Sequence, residues 1–123
     1  MAERTVPNYI VREKINISSA IDLDIENPSD NAEFNGKNAY QVGNIVFFFI
    51  SLKNVTLSVA NNWRKILSIN NSLYRPSTNT MLTACYGDTN FIGCILGSDG
   101  KLYLSSQNTF TGKYVNIFGS YPM

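Results

Sequence analysis

Residues Ile21 to Glu26 alternate without exception, with Ile21, Leu23 and Ile25 set against Asp22, Asp24 and Glu26. Only an extended strand puts two such sets on opposite faces; a helix would scatter the three acids around its circumference. A half-buried strand is therefore expected here, with the same parity in a preceding strand through Ile15 and Ile17. Asn27-Pro28 and Asn35-Gly36 carry turn chemistry, so a polar loop is expected over about residues 27–37. The run Ile45 to Ile50 is continuously apolar and rich in Phe, the pattern of a strand covered on both faces, either by an opposing sheet or by another subunit.

Further along, Met81 to Tyr86 and Phe91 to Leu96 flank Gly87-Asp88-Thr89-Asn90. Gly97-Ser98-Asp99-Gly100 then leads into Lys101 to Leu104, and Thr111-Gly112 precedes Tyr114 to Phe118. Short apolar segments joined by turns of hairpin length make a meander. Leu57 to Ile69 can be written as a helix, with Val59, Trp63, Ile66 and Leu67 near one stripe, but Asn61-Asn62 disfavours its interior; a strand at about Trp63 to Ile69 is expected instead. The expected fold class is all-β, an antiparallel, jelly-roll-like β-sandwich. At 123 residues there is room for one domain, placed at residues 13–123 behind an N-terminal arm or linker at 1–12.

Composition narrows the function. Only 15% of residues are charged and the net charge is +1, with no basic cluster beyond Arg64-Lys65, so the phosphate-neutralising stripe of a nucleic-acid binder is missing. The first eleven residues do not read as a secretory leader, and no apolar run approaches a membrane span, so membrane insertion is not expected. The sequons at Asn16, Asn54 and Asn70 then carry no meaning. The chain has no His, which removes the usual general base and the commonest transition-metal ligand. A glycosidase would depend on two opposed carboxylates, and past residue 40 the only ones are Asp88 and Asp99, both in turns. An enzyme is not expected, and neither is a cofactor. Asp22, Asp24 and Glu26 share a strand face, but carboxylates spaced along a strand diverge rather than converge on a cation, so they read as a solvated acidic face. With Tyr86 opposite Phe91, Cys85 would face Ile92 and Cys94 would face Thr83, making the thiols diagonal neighbours on one face at the edge of disulfide reach; two buried free thiols are expected.

Saccharide binding asks for aromatic faces against sugar C–H surfaces, with fixed amides, hydroxyls and carboxylates to catch the hydroxyl groups. Tyr86, Asp88 and Asn90 offer such a set at one hairpin tip, and Asp99, Lys101 and Tyr103 around the next turn. Trp63 with Asn61 and Asn62 is a third possibility, although a lone Trp in a small domain reads first as core packing. Tips one turn apart lie at opposite ends of a meander, so the first two groups should not share a site within one chain.

The order of Gln41-Val42-Gly43-Asn44, Trp63 with Ile66, Tyr74-Arg75-Pro76, Gly93 with Ile95, Asp99-Gly100-Lys101-Leu102 and Gly119-Ser120-Tyr121 resembles the C-terminal receptor-binding tip domains of bacteriophage tail fibre and baseplate proteins, over residues 38–123. The resemblance implies a tumour-necrosis-factor-like jelly roll, a homotrimer and binding to a host cell-surface saccharide. It also implies a place at the virion tail tip, beside other tail or baseplate proteins, after synthesis in the host bacterial cytoplasm. Two other readings stand beside it: a structural fibre or baseplate assembly protein with a protein partner, and a secreted-type carbohydrate-binding or depolymerase fragment.

Overall fold

Two long strands, β4 (Ile45–Leu57) and β10 (Phe110–Pro122), pair along most of their length and form the spine of the fold. A computed structural model of the chain describes residues 13–26, 31–87 and 89–123. The remaining strands are β1 (Lys14–Asn16), β2 (Ile21–Leu23), β3 (Glu33–Val42), β5 (Arg64–Ile69), β6 (Thr80–Met81), β7 (Thr83–Tyr86), β8 (Asn90–Leu96) and β9 (Lys101–Ser105). They lie in the order β1-β3-β4-β10-β7-β8-β9-β5-β2, with β6 also on β8. Every ladder among the described residues is antiparallel. The sheet curls because β8 serves both halves: its first residues pair with β7 and the rest with β9. The fold is thus all-β and consistent with a jelly-roll-like sandwich. Among the described residues, no helix is long and apolar enough to cross a membrane.

Both halves feed one core. Ile50, Leu52 and Ile117 from the β4 side meet Leu67, Ile69, Leu96, Leu102 and Leu104 from the β5 side, all fully buried. Burying each such side chain stabilises by roughly 1.5–3 kcal/mol. Tyr121 is buried beside Phe48, and its hydroxyl donates to the Tyr74 carbonyl at 2.6 Å. Desolvation pushes its phenol well above the ordinary tyrosine range.

The alternation at Ile21–Glu26 holds. Ile21 is buried, β2 pairs with β5, and Asp24 and Glu26 continue the contact through backbone bonds to Ile66 and Lys65. Their carboxylates engage β5 rather than gather around a point: Asp22 meets the Asn70 amide, Asp24 pairs with Lys65 at 3.2 Å, and Glu26 accepts from the Lys65 N–H. No group of potential metal ligands occurs among the described residues.

Four expectations need correction. The turn at Asn27-Pro28 lies outside the described residues, but Glu33–Lys37 is strand rather than loop. Asn35-Gly36 sits at an irregularity in the β3–β4 ladder, and the tight turn falls later, at Gly43-Asn44. There Gly43, at φ 62°, takes the first central position of a two-residue hairpin loop, where an L side chain would be strained. Within the single chain the Ile45–Ile50 segment is covered on one face, and no opposing sheet covers the other. Val46, Phe48 and Ile50 are buried, while Phe47 and Phe49 are 48% and 55% exposed. Burial alternates along the strand although hydrophobicity does not.

The third correction is one of register. Tyr86 pairs with Asn90 and Cys85 with Phe91, one residue away from the expected alignment. A one-residue slip reverses faces, so Cys94 points into the core while Cys85 stands half-buried on the outer side, and both thiols are free. Burial pushes the Cys94 thiol up to about 12. A thiol reagent at pH 8 should therefore label one cysteine per native chain and the second only in denaturant; rapid native labelling of both would contradict this placement.

The fourth concerns Trp63, which lies outside the core, 43% exposed, just ahead of β5.

Candidate functional site

Trp63 owes its position to a glycine. Gly93 sits mid-β8 opposite Ser105 of β9, and a Cβ built there would lie 2.9 Å from the indole Cη2 and 3.4 Å from Cζ3. The six-membered ring of Trp63 occupies the space a side chain would have filled, covering bare backbone and leaving much of the indole open.

Around it opens a cavity of about 600 Å³. Its walls come from three segments that are distant in sequence: Asn61 and Trp63 before β5, Tyr86 and Thr89–Gly93 at the β7–β8 turn, and Ser105–Asn108 after β9. Local chemistry fixes each wall. Tyr86 stacks on Phe110, with centroids 4.1 Å apart, which holds its ring against the core edge. Ser106 is buried, and its hydroxyl donates to the Asn108 carbonyl at 2.7 Å and accepts the Asn108 N–H at 3.2 Å, closing the loop on itself. Asn61, in left-handed conformation at φ 56°, donates its N–H to the Ser106 carbonyl at 2.8 Å and so ties the first wall to the third. Asn is among the few residues that tolerate that conformation cheaply.

A second cavity of about 370 Å³ shares the indole as a wall and is lined by Trp63, Asn79, Ile95, Gly97, Ser98, Asp99 and Tyr103. Its floor is the outer face of β8 and β9, where Ile95 pairs with Tyr103. Its rim is the 97–100 turn. Asp99 accepts the Lys101 N–H at 3.1 Å, Asn79 accepts the Ser98 N–H at 3.0 Å, and Gly100 adopts φ 84°. Among the described residues no Lys or Arg lines either cavity.

The structure thus sorts the expected site residues. Tyr86 and Asn90 line the first cavity and Asp99 and Tyr103 the second, so neither of these two cavities holds both groups. Asp88 lies outside the described residues. Lys101 lines neither cavity; its backbone closes the Asp99 turn and pairs with Ser68. Trp63 joins the two groups, which the reading of it as core packing missed. The Ser105–Asn108 wall was also missed, although a polar Ser-Gln-Asn-Thr turn directly after a strand that faces the Asn90 tip was a signal.

No family model matches the chain, and no curated protein matches it in sequence. The site therefore has to be read from its own geometry. It combines aromatic faces, amides and hydroxyls with no cationic side chain and no opposed pair of carboxylates among the described residues. Such a lining offers stacking surfaces and hydrogen-bonding groups to a polar, ring-shaped molecule.

Proposed function

We propose that this chain is a non-catalytic host-recognition module of a bacteriophage tail fibre or baseplate, binding a bacterial cell-surface saccharide at the cavity beside Trp63. One observation carries the reading: an exposed indole and the stacked Tyr86 ring flank a cavity otherwise lined mainly by amides and hydroxyls, Asn61, Asn90, Ser105 and Asn108 among them. Such walls offer C–H contacts to a pyranose face and directed hydrogen bonds to its edge. The all-β fold supports the kinship with fibre tips that the ordered motifs suggest. As a tip module the protein assembles as a homotrimer, so that weak single-site affinity is multiplied across three sites, and it works at the virion tail tip.

The test is binding of fluorescently labelled protein to a panel of bacterial strains before and after enzymatic stripping of surface polysaccharide. Binding to at least one strain, lost by tenfold or more on stripping, is expected. Binding indifferent to stripping would favour a protein partner and the role of a structural assembly protein.

A further inference from the structure

Among the described residues Trp63 alone lines both cavities. The two hollows follow β8 from Asn90 at its start to Gly97 just past its end, seven steps along the chain that span roughly 23 Å at the rise of an extended strand. That is the length of several linked sugar rings, not one. Each hollow has a further aromatic ring in its walls besides the shared indole, Phe91 with Tyr86 at the core edge in the first and Tyr103 in the second, and each has side-chain amides, Asn61 and Asn90 in one and Asn79 in the other. The floor between them is bare: Gly93 contributes no side chain, and the indole lies where one would have stood.

Charge decides what kind of chain fits. Among the described residues no Lys or Arg lines either hollow, the second carries the Asp99 carboxylate, and no basic residue occurs in the sequence between Tyr86 and Lys101. Lys65, which pairs with Tyr103 on the neighbouring strand, is engaged by Asp24 at 3.2 Å. Arg75 donates to the Ile69 carbonyl at 3.0 Å. A polymer bearing phosphate or carboxylate on each repeat would meet no counter-charge in this groove and would lose hydration on entering it.

We infer that the two cavities are halves of one groove that takes a linear, uncharged oligosaccharide, with Trp63 as the stacking surface common to adjacent sugar units. The inference rests on the saccharide reading above and adds to it ligand length and charge class. Affinity should grow with chain length until both halves are filled, and the gain should depend on the ring of Tyr103, which stands in the far half.

The experiment is a printed array of linear oligosaccharides, one to six residues long, in matched neutral and acidic series, followed by calorimetric titration of the best series against the full chain and two variants. For the unmodified protein a neutral series should win, with the tetrasaccharide held at least tenfold tighter than the monosaccharide. Tyr103→Phe, which keeps the ring, should retain that ratio, and Tyr103→Ala should bring it close to one. A winning series flat in length, or a ratio unchanged in Tyr103→Ala, overturns the shared groove while leaving saccharide recognition standing. A winning acidic series overturns the charge assignment. Retention of no saccharide of any length overturns this inference and the proposed function together.

Discussion

Trp63→Ala is expected to weaken saccharide binding by at least about 30-fold, the equivalent of about 2 kcal/mol for an aromatic anchor at the centre of a site. The fold should survive. Trp63 is 43% exposed and sits on the outer face of the sheet, so its removal opens no void in the core; the lost contact with Gly93 should cost about 1 kcal/mol, or roughly 3–6 °C in melting temperature for a domain of this size. A second variant separates the indole's position from its presence. In Gly93→Val the new side chain would begin 2.9 Å from Cη2 of Trp63, closer than packed carbons tolerate, so the ring must leave the strand. Gly93→Val should therefore lose binding nearly as fully as Trp63→Ala although it keeps the Trp. Isothermal titration with the best-binding neutral oligosaccharide, beside a thermal melt, reads both effects. Binding retained in Trp63→Ala at unchanged affinity would remove the indole from the site.

How much of this could be read from the residues alone depended on whether the signal was local. The strand at Ile21 declared itself because one face meets solvent and the other the core, and the meander from β7 to β9 because glycine-bearing turns punctuate it. Where local rules ran out, long-range pairing decided. Asn35-Gly36 is a strong turn signal, yet pairing with β4 kept the chain extended through it and displaced the turn to Gly43. The hairpin register slipped by one because the Gly87–Asn90 turn admits more than one alignment, and the burial of Cys94, Leu82 and Ala84 chose among them. Trp63 was misplaced for a related reason. Composition says that a lone Trp belongs inside, and only the pairing of Gly93 with Ser105 shows that an outer-face groove had been left for it. Of the candidate site, the individual tips were visible in sequence; that an indole links their two cavities was not, since the link runs between segments some thirty residues apart.

The outer face of the β4 half leads to the second large effect. Across strands in register, Phe47 lies between Tyr40 and Ser120, and Phe49 between Asn38 and Phe118, with the Phe49 and Phe118 rings stacked 6.2 Å apart. No charged residue lies within these two rows, although Lys14 stands over the Tyr40 ring and Lys53 pairs with Glu33 at 3.7 Å further along the same strands. The segment has the composition of a doubly covered strand, and the protein's own fold covers one side; a second copy is the cover that the proposed trimer supplies. Burying the exposed parts of Phe47 and Phe49 would remove on the order of 200 Å² per chain from water, which at 25 cal/mol per Å² is about 5 kcal/mol. Light scattering behind size exclusion should accordingly return three times the 13.7 kDa chain mass at tens of micromolar. Phe47→Glu combined with Phe49→Glu should return a single chain mass, because carboxylates from three copies would be driven together in a dry interface. The double variant should still fold, since both positions already face solvent in the single chain, and its single-site affinity for oligosaccharide in solution should be kept while its hold on bacterial cells falls by 10²-fold or more as avidity is lost. A unmodified chain that stays monomeric at those concentrations, or a double variant that remains trimeric, would take this aromatic face out of assembly and leave it to another partner.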